Sequence, residues 1–287
     1  MTMSTEVITG PLRTIRTACP ACNKGPYDTA LAITSKGCGG FVWFCHRCGM
    51  RGAARGDIKG GLTSHRQSKS HDPLSEPSRQ KRRMDKIWRK SLPIGPKCIA
   101  ARYLQARGCI LPPDDSDLRW HPRLFHPSDW YGPALVGRVT HAVSGEPMTL
   151  HRTWLAPDGN GKASVKPTRL MFKGLPKRQG VIRLWPEENV TEGLAIAEGI
   201  ETALTVALGF VPVWACIDAG NLAVMPVLKG VESLTVAVDN DHAGHKAYDE
   251  VSNSWKAAGR EIRRWISDRS GMDLNDHYGR GMSDEPQ

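Results

Sequence analysis

The stretch Leu194-Ala195-Ile196-Ala197-Glu198-Gly199-Ile200-Glu201-Thr202-Ala203 decides how the second half of this 287-residue chain folds. Four apolar residues without a polar break predict a short strand buried on both faces, as the strands of a parallel sheet are. A Glu-Gly pair follows at once, and Ile200 to Leu208 reads as a helix ended by Gly209. The same alternation recurs downstream. Val211–Ile217 is a second strand, Leu234–Val238 a third, Ala243–Ala258 a long helix closed by Gly259, and Glu261–Ile266 a last strand. Strand-helix-strand alternation predicts an α/β fold over residues 191–287, a sheet of mainly parallel strands flanked by helices.

Parallel strands end on one common edge, where ligands sit. Asp239-Asn240-Asp241 follows the third strand directly, so Glu198, Asp239 and Asp241 are expected to converge although about 40 residues separate them. Carboxylates brought together repel unless a cation is present. Oxygen ligands suit Mg²⁺, which binds through a few carboxylates plus substrate phosphates. Asp273 and Asp276 lie after the last strand and are placed on the same edge, Asp273 as a further Mg²⁺ ligand. The plain alternative is that Asp-Asn-Asp only caps a helix. A calcium loop is a weaker one: Asp239, Asp241, Gly244 and Glu250 fit its template, but Ala243 supplies no oxygen where a ligand is needed, and a strand precedes the loop.

Upstream, Cys19-Pro20-Ala21-Cys22 and Cys45-His46-Arg47-Cys48 are two C-x2-C pairs with 22 residues between them. Four thiolates so spaced can surround one Zn²⁺ tetrahedrally, which predicts a small β zinc ribbon over residues 1–50. Cys38 and His46 are spare ligands; Cys98, Cys109 and Cys216 read as plain thiols. A ribbon's role depends on what it displays. Trp43 and its neighbours Phe41 and Phe44, with Arg47, Arg51 and Arg55, suit stacking on bases and pairing with phosphate; the alternative is that some of these rings form the ribbon's core.

Between the two lies a basic middle. Residues 51–90 hold 12 Lys or Arg against 4 Asp or Glu, and residues 51–84 have almost no large apolar residue, which predicts a flexible basic linker. Residues 85–190 read as mixed α+β. The stretches Met84–Lys90 and Cys98–Arg107 are helical, and the proline-broken 110–135 is mostly loop. Ala134–Val139 and Thr149–Trp154 form a hairpin around Ser144-Gly145. Residues 191–287 reverse the charge, with 15 acidic side chains against 8 basic. A basic front suits a polyanion such as nucleic acid, and an acidic back suits a cation site. With 40% hydrophobic residues the chain can build a core. No run of about 18 apolar residues predicts a membrane span, and the polar start is unlike a signal peptide. A reducing, cytoplasmic setting follows for the cysteines.

At Ala197–Ala203, Val238–Gly244 and Asp273-Leu274-Asn275-Asp276 the chain resembles the Toprim domain of bacterial-type primases, topoisomerases and some nucleases. Ala219-Gly220-Asn221-Leu222 resembles the version in phage and plasmid primases, and the cysteine ribbon resembles that of phage primase-helicases. The resemblance implies a general acid/base role for Glu198 and Mg²⁺ binding by Asp239 and Asp241. The activity it implies is a DNA primase of a phage or mobile element, joining nucleoside triphosphates on a single-stranded DNA template. Arg152, Lys162, Lys166, Arg169 and Lys173, just upstream of the acidic part, are then expected to face triphosphate and template. No G-x-x-x-x-G-K-[ST] loop occurs, so no helicase motor is expected in this chain and a separate replicative helicase is the expected partner. The alternatives are a Toprim-type metal-dependent nuclease and a zinc-ribbon DNA-binding module that recruits a helicase; a topoisomerase would need a tyrosine clamp for which there is no room.

Overall fold

The computed structural model describes residues 14–22, 25, 28–36, 40–55 and 76–278. It forms two compact units, Met1–Pro73 and Leu74–Gln287.

The first unit is a four-stranded antiparallel sheet of β1 (Thr14–Thr17), β2 (Leu31–Lys36), β3 (Gly40–Cys45) and β4 (Arg51–Arg55), paired in that order. Its buried apolar core is Cys19, Leu31 and Cys45, with Ile33, Trp43 and Met50 packed against it. So few side chains cannot hold a fold alone, which is why small units of this kind carry a metal or disulfides. Cys38, a spare ligand in the sequence reading, lies outside the described residues.

The basic stretch expected as a linker is ordered at both ends. Arg51–Arg55 is β4, with Gly52 beneath the Trp43 indole where a Cβ would overlap the ring. At the other end α1 (Glu76–Lys90) starts eight residues before Met84. Its sequence hides this: only Met84, Ile87 and Trp88 touch the core, so the apolar stripe is too thin to declare a helix upstream. Residues 56–75 lie outside the described residues.

In the second unit α1 is followed by α2 (Ile99–Ala106) and the strands β5 (Leu118–His126), β6 (Trp130–His141), β7 (Pro147–Trp154), β8 (Arg169–Leu170) and β9 (Gly180–Arg183). Then come β10 (Gly193–Ala197), α3 (Ile200–Val206), β11 (Val213–Ala215), α4 (Ala219–Ala223), β12 (Ser233–Val238), α5 (His242–Ala257), β13 (Glu261–Ile266) and α6 (Leu274–Tyr278). The sheet has nine strands in the order β13-β12-β10-β11-β9-β6-β7-β8, with β5 paired to β6. β13, β12, β10 and β11 are mutually parallel, as the βαβ alternation requires; the rest is antiparallel. β9 joins the halves, pairing with Trp214 and Ala215 on one side and with Thr140 and His141 on the other. One core therefore spans both: Leu118, Leu135, Ile182 and Leu184 pack with Ala195, Ala197 and Leu204.

The hairpin β6–β7 turns at Gly145, held at φ +70°. The stretch 110–135, expected as loop, contains all of β5 and the start of β6. Pro122 made it look unpaired, but the proline falls at the register shift between His121 and Leu124, where no ladder donor is needed. No helix among the described residues is long and apolar enough to cross a membrane.

Candidate active site and metal centre

The four cysteines converge. Their Sγ atoms all lie within 4.8 Å of one another, with Cys19–Cys48 at 3.6 Å and Cys22–Cys45 at 3.5 Å. Four thiolates about 2.3 Å from one tetrahedral zinc would stand about 3.8 Å apart, so this set fits that ion. The backbone N–H groups of Cys48 and Arg47 point at Cys45 Sγ, at 3.5 and 3.4 Å, and draw its thiol down to about 6. Gly49, at φ +74°, turns the chain after the second pair.

Strand parity decides what the ribbon displays. Cys45 points inward, so Trp43 and Phe41 do too, and Phe44 points out. Trp43, expected as a stacking residue, packs against the core and over Gly52. Arg47, expected to meet phosphate, is clamped inside the unit instead. It donates to both Asp28 oxygens at 2.7 and 2.8 Å and to the Cys22 carbonyl at 2.8 Å. The outward aromatic is Phe44, 41% exposed, with His46 edge-on at 5.0 Å. In register beside it stand exposed Arg51 on β4 and, beyond Ala32, exposed Arg16 on β1.

The second cluster forms where β10 and β12 end side by side, Ala197 level with Ala237. Glu198 and Asp239 leave these strands one and two residues later. Asp241 is the N-cap of α5, its Oδ1 accepting from Gly244 N–H at 2.8 Å. Gly244 itself lies against the Asp239 backbone; a Cβ there would collide with the Asp239 carbonyl. The D-x-D-x-x-G spacing thus seats the helix directly on the Asp-Asn-Asp turn. Asp273 caps α6, accepting from Asp276 N–H at 2.6 Å. The loop carrying it is sewn to the Asp-Asn-Asp turn by Gly271 N–H to Asn240 O at 2.7 Å and Asn240 Nδ2 to Ser267 O at 2.9 Å. Helix capping, the plain reading of these aspartates, is therefore real for Asp241 and Asp273, and it does not use Asp239.

Asp239 carries the electrostatic strain. Its Oδ1 is buried without a hydrogen-bond partner. Burial, then the charges of Glu198, Asp273 and Asp241, push its carboxyl up to about 7. Glu198, half-buried, is raised too, first by burial and then by Asp241 and Asp218, while the Ala219 N–H and Arg169 pull the other way. An orphaned buried oxygen among repelling carboxylates is a site that a divalent cation would complete. Among the described residues the four cysteines are the group already drawn together to hold a metal; the carboxylates are not. Ile217, at φ +66°, bends the chain so that Asp218 caps α4 and Ala219 faces Glu198. A β-branched residue there costs about 1–3 kcal/mol, and such strain collects at functional sites.

The predicted cations divide. Lys162 and Arg169 come to the site through a residue that was not singled out, Glu201. One oxygen of this buried carboxylate accepts from Tyr103 Oη at 2.8 Å, Arg169 Nη2 at 3.0 Å and Lys162 Nζ at 3.2 Å. Against the cost of burial, Arg169 and Lys162 hold its carboxyl far below the usual range. Both cations keep partly exposed side chains, and Arg169 is close enough to act on Glu198. Exposed Lys166 lines the same open groove, about 950 Å³, built by residues 162–169, and Lys173 is exposed just beyond it. Arg152 is elsewhere. It is 6% exposed, its guanidinium 4.2 Å from the Phe172 ring on the α1 side of the sheet. One position earlier, His151 faces the other way, toward Arg169, Glu201 and Lys162, and burial drives its imidazole down to about 4. Neighbouring residues of a strand face opposite sides of the sheet, so His151 and not Arg152 reaches the Glu201 side.

Residues 193–284 match the family model described as a Toprim domain, and residues 78–184 match one described as a domain of unknown function, DUF7146. The carboxylate edge therefore lies within the stretch that matches a Toprim domain, a fold that typically binds Mg²⁺. No curated protein matches the chain. Among solved structures, the crystal structure of a DNA primase domain from Pseudomonas aeruginosa is similar over 62% of this chain and 54% of that one, at 15% identity and a TM-score of 0.36. The chain spans about half the length of that structure.

Proposed function

We propose that the protein is a DNA primase of a phage or mobile element, making short primers on single-stranded DNA from nucleoside triphosphates. The observation that carries this reading is the meeting of opposite charges at one place. The carboxylate Glu198, itself beside Asp239, stands within electrostatic reach of Arg169, which Glu201 holds together with Lys162. A nuclease needs the acidic half; nucleotidyl transfer from a triphosphate also needs cations for the departing pyrophosphate.

In that reaction a 3′-hydroxyl oxygen bonds to the α-phosphorus, the bond from that phosphorus to its bridging oxygen breaks, and pyrophosphate leaves. Glu198 takes the hydroxyl proton, a task for which its raised pKa suits it. Arg169 and Lys162, with Lys166 and Lys173 at the groove, bind the triphosphate oxygens. Asp239, Asp241 and Asp273 are the residues that would hold Mg²⁺, which when bound neutralises phosphate charge and orients the nucleotide. The cysteine unit, closed on a structural Zn²⁺, offers Phe44, Arg51 and Arg16 to template bases and phosphates. Unwinding falls to a separate replicative helicase.

The test is incubation of the full chain with single-stranded DNA, Mg²⁺ and labelled nucleotides, beside Glu198→Ala. New template-dependent oligomers are expected, falling at least about 100-fold in the variant. Cleavage of the DNA without synthesis would establish the nuclease instead. Binding without either reaction, even with a helicase present, would establish a recruiting module.

A further inference from the structure

The motif Asp273-Leu274-Asn275-Asp276 brings Asp273 to the carboxylate edge and leaves Asn275 without a task. This side chain is 1% exposed. Its Nδ2 donates to the Arg107 carbonyl at 2.7 Å, at the end of α2, and to Thr205 Oγ1 at 2.8 Å, on α3, with Cys109 Sγ at 3.4 Å. These three neighbours can only accept. A carbonyl has no proton, and Thr205 Oγ1 and Cys109 Sγ already direct theirs to the Glu201 carbonyl, at 3.1 and 3.4 Å. The amide nitrogen must therefore point at them. That leaves Oδ1 buried with no partner among the described residues. The next residue returns to the same place: Asp276 Oδ1 accepts from Arg107 Nη2 at 3.1 Å.

An amide with its oxygen unmet is a poor way to fill a joint, and a leucine of similar size would close it without burying an orphan. What only the amide supplies is N–H groups for acceptors at the end of α2 and on α3. The helix α6 needs such an anchor. Five residues cannot hold a helix in water. Asp273, its N-cap, also lies close enough to Asp239 for their charges to act on each other, so repulsion presses α6 outward. Asp273 stands only two residues before Asn275, and Mg²⁺ demands near-ideal octahedral geometry of its ligands. We propose that Asn275 is the positioning residue of Asp273: by binding α6 to α2 and α3 it sets where that carboxylate meets the ion. The proposal rests on the reading of Asp273 as a Mg²⁺ ligand and not on which reaction follows.

The experiment measures Mg²⁺ and Ca²⁺ binding to the full zinc-loaded chain at pH 8, from the rise in melting temperature of the second unit with metal concentration. The variants are Asn275→Leu, Asp273→Asn, their combination, and Thr205→Val, which removes one acceptor and keeps the shape. Asn275→Leu is expected to weaken Mg²⁺ binding about tenfold, as loss of the outer support of a metal ligand does. Ca²⁺, whose coordination is flexible, should weaken by less than about threefold. Thr205→Val should weaken Mg²⁺ by about threefold, the worth of one hydrogen bond. Asp273→Asn should weaken both ions, and adding Asn275→Leu to it should cost no further Mg²⁺ affinity, because the effect runs through Asp273. A side chain that only holds the fold together would give a variant that melts lower without metal and binds both ions as the parent does. That result would overturn the proposal, as would equal losses for the two ions that add to those of Asp273→Asn. Should Asn275→Leu fail to fold, unchanged Mg²⁺ affinity in Thr205→Val would overturn it. Parent-like Mg²⁺ binding in Asp273→Asn would remove Asp273 from the metal set and the proposal with it. Failure confined to the Asn275 and Thr205 variants would leave the proposed reaction standing.

Discussion

The cysteine cluster and the carboxylate cluster of this protein are built on opposite plans. The cysteine cluster draws four ligands from two tight turns, and its sulfurs already stand at metal-sharing distance. Backbone N–H groups of the second turn serve the thiolate of Cys45. The carboxylate cluster draws its ligands from three loops. Asp241 and Asp273 each commit an oxygen to a helix cap, Asp239 leaves one with no partner, and the groups are not drawn together. A set that saturates its ion can only stabilise a fold, while one that leaves coordination positions vacant can admit a substrate oxygen. The contrast is the one expected between a structural centre and a reactive one, the role proposed above for the carboxylates.

The largest effect should come from breaking the closed set. Cys45→Ser is expected to drop bound zinc from one ion per chain to none and to abolish hydrogen-exchange protection over Leu31–Cys45, leaving the second unit intact. Structural zinc contributes about 10–16 kcal/mol in small units, far more than the few buried side chains here supply. Full zinc occupancy in that variant would erase the distinction.

The open set predicts the reverse sign. Because the folded-state pKa of Asp239 is about 7, above its ordinary value, the native protein keeps a proton that the unfolded chain releases earlier. Stability without Mg²⁺ should therefore fall as pH rises from about 4 to about 7. Thermal melting of the second unit should come at a higher temperature at pH 5 than at pH 8. Asp239→Asn should flatten that dependence, and Mg²⁺ at pH 8 should stabilise the parent but not the variant. A flat profile in the parent would mean that the site is not strained.

The smallest effect concerns the cations opposite. Glu201→Gln removes the charge that Lys162 and Arg169 share but keeps the shape. Since both are partly exposed, the expected change is modest: a rise of about five- to tenfold in KM for nucleotide, with a lesser change in kcat. Equal losses in both would place Glu201 in the chemistry rather than in positioning.

What could be read in the sequence follows the same division. Cys19, Cys22, Cys45 and Cys48 are legible because their spacing is local, and β13 lies where Glu261–Ile266 places it because its flanks are Gly259 and a polar loop. Glu198 and Asp239 are legible because parallel strands share an edge. Trp43, Arg47 and Arg152 were misplaced for one reason: composition names a residue type, and parity decides its face. Cys45 pointing inward already implies Phe44 pointing out, and Leu150 in the core already implies His151 on the other side. Glu201 stayed hidden because an acid in the first turn of a helix has an ordinary explanation. Only the fold brings Tyr103, Lys162 and Arg169, up to 98 residues away, onto it.

The short strand β9 changes what counts as a part of this molecule. The two family matches meet in the gap between residues 184 and 193, yet β9 and Leu184, on the upstream side of that gap, complete the edge of β11 and the core of the downstream half. A fragment starting at residue 193 would carry every Toprim carboxylate and still expose an unpaired edge strand over bare apolar surface, the combination that drives chains to associate with one another. The heritable module and the physically separable piece do not coincide here, and β9 is the four-residue margin by which they differ.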